Sequence, residues 1–302
     1  PVYVTLKSKG GSNEMLLGVS IDVGGTHDIE VYRWTGSAWD NAQVITDTTN
    51  AAAGGLDNGN VFDVAWESNS GDALVFYGTA ATVEVKYRSL ERSTGSTTWG
   101  AETDAFNTGV NAAVIRGLNA EADGITNRVA VVTNDSSNDL GAATWKDDGT
   151  TAGWTSHSGT INEISLENQF LGPQYVDIAF TATSSKAVIV AQDAGVLDPA
   201  YSTLICTGSG CTASAINVTV PTLGAVDDGT FVRAFGAPNN DDIMTLWADI
   251  DRSLGIELYR NNAWAPAMNL AEANVSPATA DAGTCGASIC VVAMGGTFVY
   301  IP

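Results

Sequence analysis

Apolar and polar residues alternate along most of this chain, and the alternation returns in a fixed order. In "VFDVAWESNSGDALVFYG" (61–78), Phe62, Val64 and Trp66 alternate with Asp63, Ala65 and Glu67, the period-two pattern of a strand with two different faces. "SNSGD" is turn chemistry, and "ALVFY" is a short, wholly apolar run that suits a buried strand. The segment "YVDIAFTATSSKAVIVAQ" (175–192) repeats the arrangement, with Val176, Ile178 and Phe180 apolar and Asp177 and Ala179 between them.

The opening strand has further copies: "VYVTL" from Val2, "FDVAW" from Phe62, "VIRGL" from Val114, "VDIAF" from Val176 and "FVRAF" from Phe231. In this alignment the fourth position is small and the fifth large and apolar, and starts lie 60, 52, 62 and 55 residues apart. Each copy leads into a second apolar strand ("EMLLGVS", "ALVFYG", "VAVVT", "AVIVAQ", "IMTLWA") and a third ("HDIEVYRW", "TVEVKYRS", "LGAATWK", "AYSTLIC", "GIELYR"). A fourth follows a turn rich in Gly, Asn or Ser, opened in four units by Trp39, Trp99, Trp154 or Trp264. A four-stranded unit returning every 50–60 residues predicts a β-propeller. The units fall at about 1–58, 59–110, 111–172, 173–228, 229–275 and 276–302, one domain of six blades. The last supplies first, second and third strands but no fourth. A double-sheet sandwich is the alternative, and it accounts less well for the regular spacing.

Composition supports an all-β reading: Thr, Ser, Val, Gly and Asn abound, and helical runs of Glu, Lys, Leu and Ala are nearly absent. With 34 acidic against 13 basic residues and a net charge of -21, no nucleic-acid partner is expected, because phosphate binding needs a basic surface. No run approaches the ~18 apolar residues of a membrane-spanning helix. The chain opens on Pro1 rather than Met, as a processed or excised product does. Cys206/Cys211 and Cys285/Cys290 form two close pairs, and the only histidines, His27 and His157, sit in unrelated contexts, so zinc is disfavoured. Two local disulfides fit the pairs and imply an oxidising, extracellular or cell-surface location; four free buried thiols are the alternative.

The third-to-fourth-strand hairpins "YRSLERSTGSTTWG" and "WKDDGTTAGWT" resemble worn copies of the Asp-box turn, S-x-D-x-G-x-T-W, of the sialidase and BNR-repeat propellers. The resemblance covers architecture and implies six blades. It also implies what a sialidase needs at its axis: three arginines to clamp a carboxylate, a Tyr nucleophile assisted by a Glu, and an Asp acid. Here only Arg116 and Arg233 fall on inner strands, and the nearest tyrosines, Tyr3 and Tyr175, have no Glu in an equivalent place. Catalysis is therefore not the expected role. Arg116 and Arg233 align with Val4, Val64 and Ile178. They either pair with the channel carboxylates Asp63, Asp177 and Glu67 or hold an anionic ligand.

Acidic loops gather on one face in this reading. "NDSSND" and "ADIDRS" space Asp135 and Asp139, and Asp249 and Asp251, among further oxygen donors; they offer calcium a place, or are plain solvated turns. The apolar "TFVYI" (297–301) would end the last blade as an open sheet edge, which recruits another strand. The function expected is an extracellular, non-enzymatic building block of a surface protein or filament, with protein subunits, including copies of itself, as partners. The alternative is a propeller that binds or hydrolyses carbohydrate, with surface glycans as partners.

Overall fold

The computed structural model describes residues 3–23, 26–40, 43–49, 60–79, 84–107, 113–147, 152–161, 175–192, 199–207, 210–215, 229–249, 254–265 and 268–271. They form five antiparallel sheets with strands in chain order from the inside out. The first holds β1 (Tyr3–Ser8), β2 (Met15–Val23), β3 (Thr26–Trp34) and β4 (Gln43–Thr49). The second holds β5 (Phe62–Trp66), β6 (Ala73–Tyr77), β7 (Glu84–Leu90) and β8 (Thr103–Asn107). The third holds β9 (Ile115–Ala122), β10 (Arg128–Asp135), β11 (Leu140–Asp147) and β12 (Ala152–Ser156), followed by the single helical turn α1 (Ser158–Ile161). The fourth holds β13 (Val176–Phe180), β14 (Lys186–Gln192), β15 (Pro199–Thr207) and β16 (Gly210–Ala213). In the fifth, β17 (Gly229–Gly236), β18 (Ile243–Asp249) and β19 (Leu254–Arg260) are followed by β20 (Ala263–Trp264) and β21 (Met268–Ala271), both of which pair with β19. The inner strands β1, β5, β9, β13 and β17 neighbour one another in turn, a propeller-like arrangement.

All five inner hairpins are built alike. Each closes on a pair seven residues apart: Ser8/Met15, Trp66/Ala73, Ala122/Val129, Phe180/Ala187 and Gly236/Ile243. In each, the first loop amide donates to the last loop carbonyl, as Glu67 N does to Asp72 O at 2.8 Å and Ala237 N to Asp242 O at 2.9 Å. Counting back from these pairs makes Val4, Phe62, Leu118, Val176 and Val232 equivalent first positions. The sequence alignment is correct for β5 and β13 and displaced by two residues in β1, four in β9 and one in β17. The true repeat alternates between 58 and 56 residues, so units two apart match at an offset of 114: β5 on β13, β9 on β17.

This register also overturns the small-fourth, large-fifth rule. Fourth positions hold Lys7, Ala65, Glu121, Ala179 and Phe235, and fifth positions Ser8, Trp66, Ala122, Phe180 and Gly236. The reason is local. Lys7 and Glu121 form an ion pair at 2.9 Å, and a Cβ on Gly236 would lie 2.2 Å from the Phe180 carbonyl oxygen.

Odd positions of each inner strand face the preceding sheet and even positions the next. Phe62 meets Tyr3 edge-on with ring centroids 5.4 Å apart, and Val64 and Trp66 pack with Leu16, Ile29 and Val31 of the first sheet. Leu118 and Ala120 pack on Leu74 and Phe76, Val176 and Ile178 on Ala130 and Val132, and Val232 and Ala234 on Val188 and Val190. Each junction thus has its own apolar core, and each large side chain buried there contributes about 1.5–3 kcal/mol. Trp154 and Trp264 lie in outer strands as expected. Trp39 and Trp99 instead precede β4 and β8, and Trp39 bridges to Trp34.

Cys206 and Cys211 are disulfide-bonded across the β15–β16 hairpin. Cys285 and Cys290, the sixth unit (276–302) and its "TFVYI" strand lie outside the described residues.

Candidate functional site

The common register brings one polar position from every sheet to the axis: Thr5, Asp63, Asn119, Asp177 and Arg233. Each is an even, second position; the first four reach toward the next inner strand, and Arg233 faces back to Asp177. Thr5 Oγ1 donates to Asp63 Oδ1 at 2.7 Å; Asp63 Oδ2 accepts from Ala120 N at 3.0 Å. Asn119 Nδ2 donates to Val176 O at 2.7 Å; Asp177 Oδ2 accepts from Ala234 N at 2.8 Å. The last three of these bonds satisfy backbone groups that inner strands, lying side by side without a ladder between sheets, would otherwise bury unpaired.

Lys7 closes the group. Its ammonium donates to Glu121 Oε2 at 2.9 Å and Ala120 O at 3.1 Å, and lies 3.7 Å from Asp63 Oδ2. Burial alone would lower its pKa, but Asp63 and Glu121 outweigh burial and hold it above the ordinary lysine value. Asp177 is pushed up to about 6 by burial, against the opposing pull of Arg233 and the Ala234 amide. Arg233 Nη1 stands 3.9 Å from Asp177 Oδ2, so Arg233 does face an axial carboxylate. Arg116 is not its equivalent: it sits two residues before Leu118, and its counterpart 114 residues on is Thr230. Sequence reading missed Thr5, Lys7 and Asn119, which a register anchored on the loop-closing pairs would have found.

Glu67 leaves the axial group. It is the first residue of its hairpin loop, 1% exposed, and turns outward between the second and third sheets. Its carboxylate accepts from Trp145 Nε1 and, at 2.6 Å, from Ser70 Oγ. Burial pushes its pKa up to about 7, and Asp147 and Asp72 add to the rise. The three carboxylates come within 4.8 Å of one another, a grouping of cation-ligand type that nothing in the linear spacing announces.

Asp135, also buried, is a turn-maker. Its Oδ1 accepts from Ser137 N at 2.9 Å and Asp139 N at 3.1 Å, its Oδ2 accepts from Ala113 N at 3.3 Å, and Asn138 has φ 65°. Asp139 closes the same turn. The Asp249 side chain and Asp251 lie outside the described residues.

At the rim, adjacent inner hairpins are latched side by side. Between sheets two and three, Asn127 Oδ1 accepts from Asn69 N and Ser70 N, both at 2.8 Å. Between four and five, the matching Asp241 Oδ1 accepts from Thr183 N at 2.8 Å and Thr183 Oγ1 at 2.7 Å. Behind the second latch lies a polar cleft of about 410 Å³ that includes Lys186, Asp242, Arg260, Asn261 and Asn262. The Arg260 guanidinium grips Asp242 through Nε at 2.9 and 3.0 Å, and Asn261 and Asn262 take φ 54° and 64° at the tip of the β19–β20 hairpin.

No family model matches the sequence, and no curated relative does either. Solved structures are similar in fold at low identity. AofleA from Arthrobotrys oligospora is 9% identical at a TM-score of 0.49, over 90% of this chain and 72% of that one. The Aleuria aurantia lectin, solved with Fucα1-6GlcNAc, is 14% identical at 0.48, over 91% and 80%. The NanB sialidase from Streptococcus pneumoniae is 10% identical at 0.48, over 87% and 60%. This chain's own geometry has to carry any functional reading.

Proposed function

We propose that this protein is a non-enzymatic extracellular propeller, an adhesive building block of a surface protein. The observation that supports this is the commitment of the axial side chains. Thr5, Asp63, Asn119 and Asp177 each hold a neighbouring inner strand, and Lys7 rests on three oxygens. Most glycoside hydrolases need two carboxyl groups free to face a substrate, about 5–10 Å apart, and a Tyr-dependent one needs free carboxyl groups beside its tyrosine. Here Asp63 and Asp177 face backbone amides instead. The Cys206–Cys211 disulfide and the acidic surface fit an extracellular setting.

A second observation favours glycan as what the protein adheres to. The cleft between the fourth and fifth sheets offers amide, hydroxyl and paired charged groups over about 410 Å³, a size and polarity suited to a sugar's hydroxyls. A glycan array on the full chain, with and without calcium, tests this beside a fluorogenic sialoside assay. We expect bound glycans and no turnover. Asn261→Gly, which keeps the left-handed backbone and removes the amide, should weaken binding about tenfold, the worth of one good hydrogen bond. Turnover would overturn the non-enzymatic reading, and a blank array would overturn the glycan.

A further inference from the structure

The cleft between the fourth and fifth sheets uses most of its own acceptors and leaves donors unspent. The Asp242 carboxylate takes the Arg260 guanidinium, and Asp241 accepts from the Thr183 amide and hydroxyl. Asn240 Oδ1 accepts from Asp242 N at 2.9 Å, and Asn262 Oδ1 accepts from the Lys186 ammonium. Of the carboxylates and side-chain amide carbonyls lining the cleft, all but that of Asn261 are thus engaged by the protein itself. Among the described residues the Nδ2 groups of Asn240 and Asn262 meet no partner, and the ammonium gives Asn262 one of its three N–H bonds. The ammonium's other neighbour is the Tyr259 ring, 6.0 Å away at its centroid. No described carboxylate forms an ion pair with Lys186, in a chain with 34 acidic residues against 13 basic ones.

The equivalent residues 114 positions earlier show that the backbone does not impose this polarity. Glu67, Asp72 and Asp147 stand where this cleft has Thr181, Lys186 and Asn261. Three carboxylates whose oxygens lie within 4.8 Å of one another thus give way to one ammonium and two neutral groups. Beside Lys186, its cross-strand partner Ile205 stands 50% exposed on the same face and offers an apolar surface to the C–H side of a sugar ring. Resting on the glycan reading above, we propose that the cleft takes an acidic saccharide, its carboxylate or sulfate set against the Lys186 ammonium, with the Asn240 and Asn262 amides as further donors. A neutral sugar's hydroxyls both donate and accept and find few unused acceptors here, whereas an anionic group only accepts. The net charge of -21 repels a densely charged polymer, so the fitting ligand is short or sparsely charged.

The test is an array on the full chain, printed with matched sets: a neutral oligosaccharide, the same chain with a uronate carboxylate, and the same chain with a sulfate ester. The parent is compared with Lys186→Met, Lys186→Arg and, as control, Lys86→Met, a lysine of β7 paired with Asp104. Thermal melts check that each variant folds. We expect an acidic member to bind at least ~10-fold tighter than its neutral counterpart, as a charge-assisted hydrogen bond allows, and the carboxylate and sulfate members tell which anion fits. Lys186→Met should abolish the preference, Lys186→Arg should keep most of it, and Lys86→Met should leave it whole. In the parent itself high salt should shrink the preference, a check that needs no variant. Equal binding of acidic and neutral members, or a preference that survives Lys186→Met or high salt, would overturn the acidic ligand and leave the glycan reading standing. An array blank for the parent would overturn both.

Discussion

The junction between sheets two and three and the junction between sheets four and five are one backbone carrying two chemistries. At an offset of 114 residues, Asp63 matches Asp177, Asn69 matches Thr183, Tyr87 matches Tyr201 and Trp145 matches Tyr259. The axial bond to the next strand recurs (Ala120 N, Ala234 N), and so does the rim latch (Asn127, Asp241). What differs is the filling. Where the first junction has Glu67, Asp72 and Asp147, the second has Thr181, Lys186 and Asn261. Trp145 donates its indole N–H to a carboxylate, while Tyr259 has the Lys186 ammonium 6.0 Å from its ring centroid. The latches need only an acceptor at one place, so Asn and Asp serve equally. The space behind them makes no demand on the fold and is free to take either sign of charge.

The sharpest way to break the equivalence is at the axis. Asp63 accepts from the Thr5 hydroxyl as well as the Val64 and Ala120 amides and has Lys7 at 3.7 Å, whereas Asp177 accepts only from the Ile178 and Ala234 amides and has Arg233 at 3.9 Å. Asp63→Ala should cost about 2–4 kcal/mol, because it strips three donors of their acceptor while Lys7, a third exposed, keeps Glu121, and Asp177→Ala about 1–3. Urea unfolding of both variants gives the difference; equal losses would mean that the Thr5 donor plays no part.

Next comes the acidic filling. A Glu67 pKa near 7 lies above the ordinary carboxyl value of 4.5 that the unfolded chain retains. Its stabilising contribution is therefore complete below about pH 4.5 and is lost as pH rises through 7. Asp177, raised to about 6, acts in the same direction at lower pH. Glu67→Gln keeps the acceptor for Trp145, so it should be more stable than the parent by on the order of 2 kcal/mol at pH 8 and nearly equal to it at pH 4.5. Thr181→Val, at the matching place, should leave the pH profile of melting unchanged.

Smaller effects sharpen the comparison at the rim. Asn127→Ala and Asp241→Ala should each cost about 1 kcal/mol and speed amide exchange at Asn69 and Ser70, or at Thr183, without disturbing the other junction. Smallest is Arg260→Ala. The Arg260 side chain is 44% exposed, so its fork onto Asp242 is worth roughly 0.5 kcal/mol in thermal melts, and salt should erase the difference.

Much of this molecule is determined by its sequence alone. Period-two alternation with turn residues between the runs is a local property. It marked nearly all the first, second and third strands, the four-stranded unit, and Cys206–Cys211, because pleating and turn chemistry act over a few residues. Register was harder. "VIRGL" and "FVRAF" align well by size, yet the inner strands are set by loop closures at Ala122/Val129 and Gly236/Ile243, which carry little sequence signal of their own. That displacement paired Arg116 with Arg233 and hid Thr5, Lys7 and Asn119. Only the tertiary structure decided that Glu67 turns out to Trp145 rather than in to the axis, and that Asp72 and Asp147 meet it there. Those contacts join three strands far apart in the chain, and such proximity is a consequence of how sheets pack, which no spacing within one strand encodes.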